Sequence, residues 1–533
     1  MGTRRGLAAV LVVGVLLGLT GCTGGGEEPA PSEDPTTSVA PEPSSEPSSE
    51  PSSTVSRSFE LGGQQVDLEV GPVVVGDGYA TLPVVARAVE GGADAESVSL
   101  DTSWGNPYGY TVVGPNAVRL VDPVARTVST VAQDGDGRSV VTSQLVFLSA
   151  EPEVLCMVFA APTSETADVL LPYAGYVAEV PVVSIDEAPE LVSDGECALS
   201  KLTDSVPADL VLPVIPLDTY VEELGGDVRT RTEDDAVRVA VSADVLFATD
   251  SAELGGQADV ALSAVGAQLA GYTGGDLVVV GHTDDVASDA YNMDLSVRRA
   301  QAVADRLGQL VDLGPFAVTV EGRGESQPVV AGTDEAARAA NRRVELEFTP
   351  AAEAASPEAT VTEPTGEMPA ADGPEATGAD GVRITYDRDR TFTVSVDEVR
   401  RIGPNLVGEF TVERVDGESV WGVDGLFSSG AQDGRGKFDA QLQVAATNVT
   451  LLVGSTRYYP LDYVRNDLGD RDPLSDRYLT SYIEEGQSQT VTVVWPDVPG
   501  DTVTVDSPAV IHSSGQQIGG PPFRLTDVPV VTP

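Results

Sequence analysis

Hydrophobic spacing changes its period twice along this 533-residue chain, and that constrains the fold more than any single motif. Over about 57–200, apolar and polar residues alternate. Val66, Leu68 and Val70 point one way, and Gly76 to Gly78 supply a turn before Tyr79–Val85. A strand over Val154–Phe159, a turn holding Pro162 and a strand from Val169 to Pro172 follow, all at the two-residue period of half-buried β-structure. Between about 205 and 350 the pattern mixes. Ala236–Val241 is strand-like, and Leu262, Val265 and Leu269 fit one helix face. Asp276–Gly281 is a near-continuous apolar run, and Leu295, Arg299, Val303, Leu307 and Leu310 lie on approximately one helical stripe. Phe316–Glu321, a short Ala-rich helix over about 334–340 and Val344–Phe348 complete it. Strand and helix in alternation predict a two-layer α/β domain with helices packed on one sheet. Beyond 381 the two-residue period returns, with Phe392, Val394 and Val396, then Phe410 and Val412.

The fold class expected is therefore multidomain: a central two-layer α/β sandwich flanked by two mainly-β, sandwich-like modules at 57–200 and 381–533. The C-terminal order of strand Thr490–Trp495, prolines 496 and 499, and strand Thr502–Val505 resembles the order around Val154–Leu171. That predicts two related modules, with generic strand-turn-strand grammar as the alternative. Two segments of biased composition separate the parts. Residues 22–56 are rich in Pro, Ser and Glu, and 351–380 in Pro, Ala, Glu and Thr. Such segments bury too little to order themselves, so the first is expected as an extended stalk and the second as a linker. At about 3.1 Å per residue the stalk would reach roughly 100 Å.

The N-terminus carries an address. Arg4 and Arg5 precede an apolar stretch from Leu7 to Leu19, too short for the ~20 residues that span a bilayer but suited to a signal peptide over 1–21. It ends in Leu19-Thr20-Gly21-Cys22, which resembles the bacterial lipobox. The resemblance implies cleavage before Cys22, diacylglycerol on its thiol and a protein anchored by lipid to the outer face of the cytoplasmic membrane, extending into the cell wall. An ordinary secretory signal with a chance cysteine is the alternative.

Charge and residue counts exclude several functions. Acidic residues number 83 against 31 basic ones, for a net charge of −52. Phosphate binding needs a basic footprint, so nucleic acid is not an expected partner, and a polybasic membrane patch is absent. Cys156 and Cys197 remain as an even pair in a chain expected to be exported, for which a disulfide is the default and two buried thiols the alternative. The two histidines, His282 and His512, are far apart in sequence, which excludes a multi-histidine zinc site within one domain; no metal or cofactor is expected. No Gly-x-Ser-x-Gly elbow surrounds a serine, and no spacing singles out a carboxylate pair, so the chain is not expected to be an enzyme.

Chemistry concentrates in the middle. Val245–Leu254 is followed by Gly281, His282, Thr283 and Asp284, then by Asn292 to Ala300 with Leu295 and Arg299. Gly322 to Pro328 and Asn341 to Glu345 come after. In order and spacing this set resembles the OmpA-like C-terminal domain, over about 110 residues. The family binds the peptide stem of peptidoglycan, usually through diaminopimelate. The resemblance implies ligand binding by Asp284 and Arg299, with Asn292 and Leu295 at the loop positions and Thr283 and Arg342 beside them. Diaminopimelate ends in one ammonium and one carboxylate, to which an aspartate and a guanidinium fork are complementary. A plain ion pair joining Asp284 to Arg299 is the alternative. Asp285 adds a second carboxylate at the mouth, Arg298 is expected in solvent, and Arg342 and Arg343 either line the cleft or carry a sheet-edge charge. The function implied is a membrane-to-wall tether. A wall-targeted hydrolase, or a recruiter of wall-remodelling enzymes, is the alternative.

Overall fold

The computed structural model describes residues 54–533 except 77, 90–99, 101–103, 105–114, 142–147, 189–196, 198–209, 225–226, 352–365, 387–389, 418–422, 424, 430–434, 436, 439–443, 478, 480–482 and 512–516. The expectations for the signal stretch, Cys22, nearly all of the stalk and His512 fall outside the described residues.

The N-terminal part contains β1 (Val55–Leu61), β2 (Gln64–Val70), β3 (Val73–Gly76), β4 (Tyr79–Ala88), β5 (Arg119–Asp122), β6 (Thr127–Thr130), β7 (Glu153–Ala160), β8 (Thr166–Leu171) and β9 (Gly175–Ser184). Then comes β10 (Val214–Pro216), followed by the hairpin β11 (Thr219–Glu223) and β12 (Val228–Thr232), and by β13 (Val237–Ser242). Helices α1 (Ala243–Leu246) and α2 (Ala258–Leu269) precede β14 (Gly275–His282). Next are α3 (Asp289–Leu310), β15 (Phe316–Gly324), α4 (Glu335–Asn341) and β16 (Arg343–Pro350).

The C-terminal part begins with β17 (Glu375–Thr377), β18 (Val382–Tyr386), β19 (Arg390–Ser395), β20 (Val399–Ile402), β21 (Asn405–Asp416) and β22 (Lys437–Phe438). It continues with β23 (Thr450–Val453), β24 (Thr456–Tyr458), β25 (Asp462–Val464), β26 (Asp470–Pro473) and β27 (Ser488–Pro496). The last strands are β28 (Thr502–Ser507), β29 (Val510–Ile511), β30 (Gln517–Ile518) and β31 (Phe523–Val531).

The two flanking parts share one wiring. The N-terminal sheet runs β1-β2-β4-β3-β9-β8-β5-β6, with β7 also paired to β4. The C-terminal order is β18-β19-β21-β20-β31-β28-β23-β24, with β27 also paired to β21. Along each run one junction is parallel, β3 with β9 and β20 with β31, at the same place in the order. The agreement extends well beyond the strand-turn-strand segment around residues 154–171 and 490–505.

The parts do not keep separate cores. One buried apolar cluster holds Phe59, Leu82 and Phe159 together with Phe392, Phe410 and Trp495. Polar ties cross the same seam. Arg57 and Arg400 both reach the Glu409 carboxylate, the latter at 2.7 Å, and the Tyr176 amide donates to it at 2.8 Å. Cys156 and Cys197 form a disulfide with a Cα–Cα distance of 5.3 Å, both fully buried.

In the centre the sheet order is β15-β14-β16-β13, parallel between β14 and β15 and antiparallel elsewhere. Val344, Leu346 and Phe348 alternate into the core with Leu277 and Val279, and Leu262, Val265, Val303 and Leu307 from α2 and α3 meet them. The sheet then continues past β13 through the β12–β11 hairpin to β24. The central domain and the C-terminal part thus lie on one continuous sheet.

The stretch 351–380, expected throughout as linker, differs in its second half. β17 pairs in parallel with β31, and Arg524 Nη1 donates to the Pro369 carbonyl at 2.7 Å. Composition predicts no core for such a segment, but backbone carbonyls and N–H groups can still be held by a neighbouring strand and side chain.

A buried charge cluster seals the junction between the centre and the C-terminal part. Asp218 and Asp462 exchange backbone hydrogen bonds of 2.8 and 3.2 Å. Arg471 reaches both carboxylates, and Arg231 donates to Asp462 at 2.8 Å. All four side chains are at most 10% exposed. Removing one partner from a buried pair leaves a charge uncompensated, at a cost of roughly 3–5 kcal/mol. Arg231→Ala is accordingly expected to lower the thermal unfolding midpoint of the full chain by several degrees. A midpoint unchanged from wild type would show that the cluster does not stabilise the junction.

Candidate functional site

Glycines bring the site's elements together. At Gly281, near the end of β14, an added Cβ would collide with the Ser296 carbonyl of α3. At Gly322 on β15 it would lie 2.6 Å from the Val297 amide nitrogen. Only with these two positions bare can α3 lie directly on the strand ends. Asp284 follows β14, and Asn292 and Arg299 stand on the buried face of α3.

Of the α3 stripe read from the sequence, Leu295, Arg299, Val303 and Leu307 are buried and Leu310 is partly buried; Asn292 is buried on the same helix. Arg299 is 4% exposed, an unusual position for a guanidinium. Its Nε donates to the Ser251 carbonyl at 2.9 Å, and its Cζ lies 5.2 Å from the centre of the Phe247 ring, a cation–π arrangement. Among the described residues, no carboxylate oxygen lies within 4.0 Å of its nitrogens. Burial pulls the guanidinium below the usual arginine range, opposed by the charges of Asp244 and Asp284.

Asp284 is held by a different arginine. Arg342, between α4 and β16, donates from Nη1 to Asp284 Oδ2 at 3.0 Å. The same guanidinium reaches Asp244 Oδ2 at 2.8 Å and Glu335 Oε1 at 2.9 Å. The alternative of a direct Asp284–Arg299 ion pair is therefore not the arrangement found. These hydrogen bonds, led by that to Asp244, hold the Arg342 charge firmly and raise its pKa despite partial burial.

The remaining candidates fall around this pair. Asn292 is buried and donates from Nδ2 to the Asp284 carbonyl at 3.1 Å and to Glu325, so it shapes the loop that presents Asp284. Leu295 is 5% exposed, and Thr283 is buried with its amide bonded to the Gly324 carbonyl at 2.9 Å. Asp285 is taken up by Arg338 at 2.6 Å, a hydrogen bond that lowers its pKa. Arg298 is exposed and pairs along the helix with Asp294 at 2.9 Å. Arg343 turns away from Asp284, to Glu345 at 2.6 Å.

Sequence reasoning singled out none of Asp244, Ser251, Glu335 and Arg338 as site residues. Asp244 lies in the first turn of α1 and Ser251 five residues beyond its end. Ser251 falls inside the Val245–Leu254 stretch of the motif set, but nothing in the local spacing marks either residue as a partner of the site.

Beneath the loop, His282 Nε2 lies 3.5 Å from Glu345 Oε2. Burial alone would raise the Glu345 carboxyl, but the adjacent His282 imidazole and the Arg343 guanidinium outweigh it and hold the pKa at about 2. The folded value lies below the ordinary 4.5. The carboxylate's contribution to stability is thus present above about pH 4.5 and is lost as pH falls toward about 2. Glu345→Gln is expected to destabilise the protein at pH 6. The gap in unfolding midpoint between variant and wild type should narrow steadily from pH 4.5 to pH 2.5; a gap that does not change with pH would contradict this role.

Residues 246–342 match the OmpA family. The chain is 45% identical over 80 residues to outer membrane porin F of Pseudomonas fluorescens, covering 14% of this chain and 23% of that protein. It is 35% identical over 115 residues to outer membrane protein A of Bordetella avium, covering 21% of this chain and 58% of that one. The match thus spans between about a quarter and three-fifths of these relatives. Among solved structures, the cell wall anchor of the T6SS from Pseudomonas aeruginosa is 35% identical, with 23% of this chain and 88% of that chain covered and a TM-score of 0.21.

Proposed function

We propose, from the OmpA-like domain at residues 246–342, that this protein binds the peptide stem of peptidoglycan without covalent chemistry and tethers the membrane to the cell wall. The observation that carries the reading is the buried Arg299 guanidinium, bonded at Nε to a backbone carbonyl and paired with no carboxylate among the described residues. A buried cation of this kind is complementary to a ligand carboxylate, which a guanidinium takes in a planar fork. Asp284 stands on the loop beside it, with a side chain 18% exposed, and is the acceptor for the ammonium on the same ligand centre. Diaminopimelate presents both groups. Asn292 positions the loop through the Asp284 carbonyl, Thr283 and Leu295 are buried beside it, and Arg342 holds the Asp284 carboxylate.

The membrane end of the tether rests on the sequence alone: the apolar run ending in Cys22, read as a lipidated cysteine, and the Pro/Ser/Glu stalk that follows it. Two acyl chains suffice for stable anchoring. Charged hydrogen bonds contribute about 1.5–3 kcal/mol each, so one stem peptide is held only modestly. A tethered binder beside a polymer of repeated stems has a high effective concentration and needs no more. On this reading the protein works at the cell envelope.

Co-sedimentation of the full chain, without its signal stretch, with purified diaminopimelate-type peptidoglycan tests the reading. Wild type is expected in the pellet, with Asp284→Ala and Arg299→Ala each reducing the bound fraction at least tenfold while far-UV circular dichroism is unchanged. Sedimentation equal to wild type in both folded variants would leave the two residues a structural role only.

A further inference from the structure

The two halves of the site differ in what they already hold. Asp284 is occupied: Arg342 Nη1 donates to it at 3.0 Å. Arg299 is not: its Nε is spent on the Ser251 carbonyl, its face is turned to Phe247, and among the described residues no carboxylate reaches it within ion-pair distance. A ligand ammonium arriving at Asp284 joins a carboxylate that is already neutralised and must share it with Arg342. A ligand carboxylate arriving at Arg299 meets a buried cation on which Asp244, Asp284 and Asp250 act only from beyond ion-pair distance. A buried charge with no carboxylate in direct contact gains most from a group that supplies one.

Resting on the peptidoglycan reading, we propose that the site reads carboxylate before ammonium. A stem whose distal carboxylate is amidated or missing is refused, while one lacking only the distal ammonium is still held. The class of ligand is thus a peptide side chain ending in a free carboxylate. Amidation of that group, which swaps one carboxylate oxygen for an NH2 of similar size and removes the charge, acts as an off-switch for anchoring.

Arg342 sets the asymmetry. It keeps three further contacts within 3.3 Å to the Asp244 carboxylate and one of 2.9 Å to Glu335, so it stays beside Asp284 whether or not a ligand is bound. While it stays, the ammonium adds little. Arg342 is therefore a specificity-determining residue of the site, setting how much the ammonium counts.

Four stem tripeptides separate the terms in calorimetric titrations of the full chain. They carry at the third position diaminopimelate, its distal carboxamide, lysine (which lacks the distal carboxylate) or 2-aminopimelate (which lacks the distal ammonium). The carboxamide and lysine peptides are expected to bind on the order of tenfold to a hundredfold more weakly than the diaminopimelate peptide, the range of one or two charge-assisted hydrogen bonds. The 2-aminopimelate peptide is expected within about threefold of it. In Arg342→Gln, Asp284 is released, and the loss on removing the ammonium should grow severalfold while the carboxamide still binds weakly.

Equal losses for carboxamide and 2-aminopimelate, or a larger loss for the latter, would overturn the proposal and leave stem binding intact. An ammonium effect unchanged in Arg342→Gln would overturn the role given to Arg342. If the diaminopimelate peptide itself fails to bind, the stem-binding reading falls, and the charge preference with it.

Discussion

The antiparallel pairing of β11 with β24 is the contact on which the rest of the arrangement depends. It sets Val221 opposite Tyr458 and Glu223 opposite Thr456, joining strands more than 230 residues apart in the chain. Backbone ladders alone tolerate slippage, and a one-residue shift would turn every side chain of the hairpin to the other face. Side chains fix this one: Glu223 accepts from both Ser455 and Thr456, the latter at 2.8 Å. The Asp218–Arg471–Asp462–Arg231 cluster lies at the same border. With the register fixed, β12, β13 and β16 follow outward, and the loop bearing Asp284 is carried on the far strands of that sheet.

The same border explains how two mainly-β segments come to share a core. β10 adds to β6 at the end of the N-terminal sheet, and β11, two residues later, adds to β24 at the corresponding end of the C-terminal one. One short run of chain thus extends equivalent edges of both repeats. Edge strands present unpaired N–H and C=O groups that invite foreign strands. Both are covered here by the segment leading into the central domain. The repeat and the inserted domain are therefore parts of one solution to the edge problem.

Much of the central domain was legible because its apolar residues keep strict periods. The Leu262, Val265 and Leu269 face became the buried face of α2, and the stripe from Leu295 to Leu307 that of α3. The β11–β12 hairpin was not assigned from the sequence, since Arg229, Arg231, Glu222 and Glu223 leave it no apolar period to follow. Their burial depends on partners such as Asp462 and Ser455, distant in sequence. Composition likewise hid β17, which is held chiefly by its backbone pairing with β31, with only Ala376 packed on the core. At the site, the motif positions for Asp284, Asn292 and Arg299 could be found from sequence, but the partner of each charge could not. Helical spacing put Arg299 on the buried face without revealing that Ser251 and Phe247 would receive it. That Asp284 is taken by Arg342, and not by Arg299 as the alternative had it, arises from three-dimensional closure, because Arg342 enters only where α4 meets β16.

Burying Arg299 opposes folding, and the opposition is met in advance by apolar packing along α3. Val303 and Leu307 on the same face are fully buried, and each large apolar side chain removed from water contributes about 1.5–3 kcal/mol. The guanidinium is therefore largely withdrawn from water and oriented before any ligand arrives, with Nε fixed by Ser251 and one face set against Phe247. A surface arginine would have to lose rotamer freedom and hydration on binding, which consumes much of what an exposed ion pair gains. Here those losses belong to folding, so even a small ligand group meets a cation already in place. That a neighbouring carboxylate is kept for Arg342 and not turned to Arg299 is what preserves the difference: had Asp284 paired with Arg299 directly, the buried charge would be satisfied and the site closed to an outside anion.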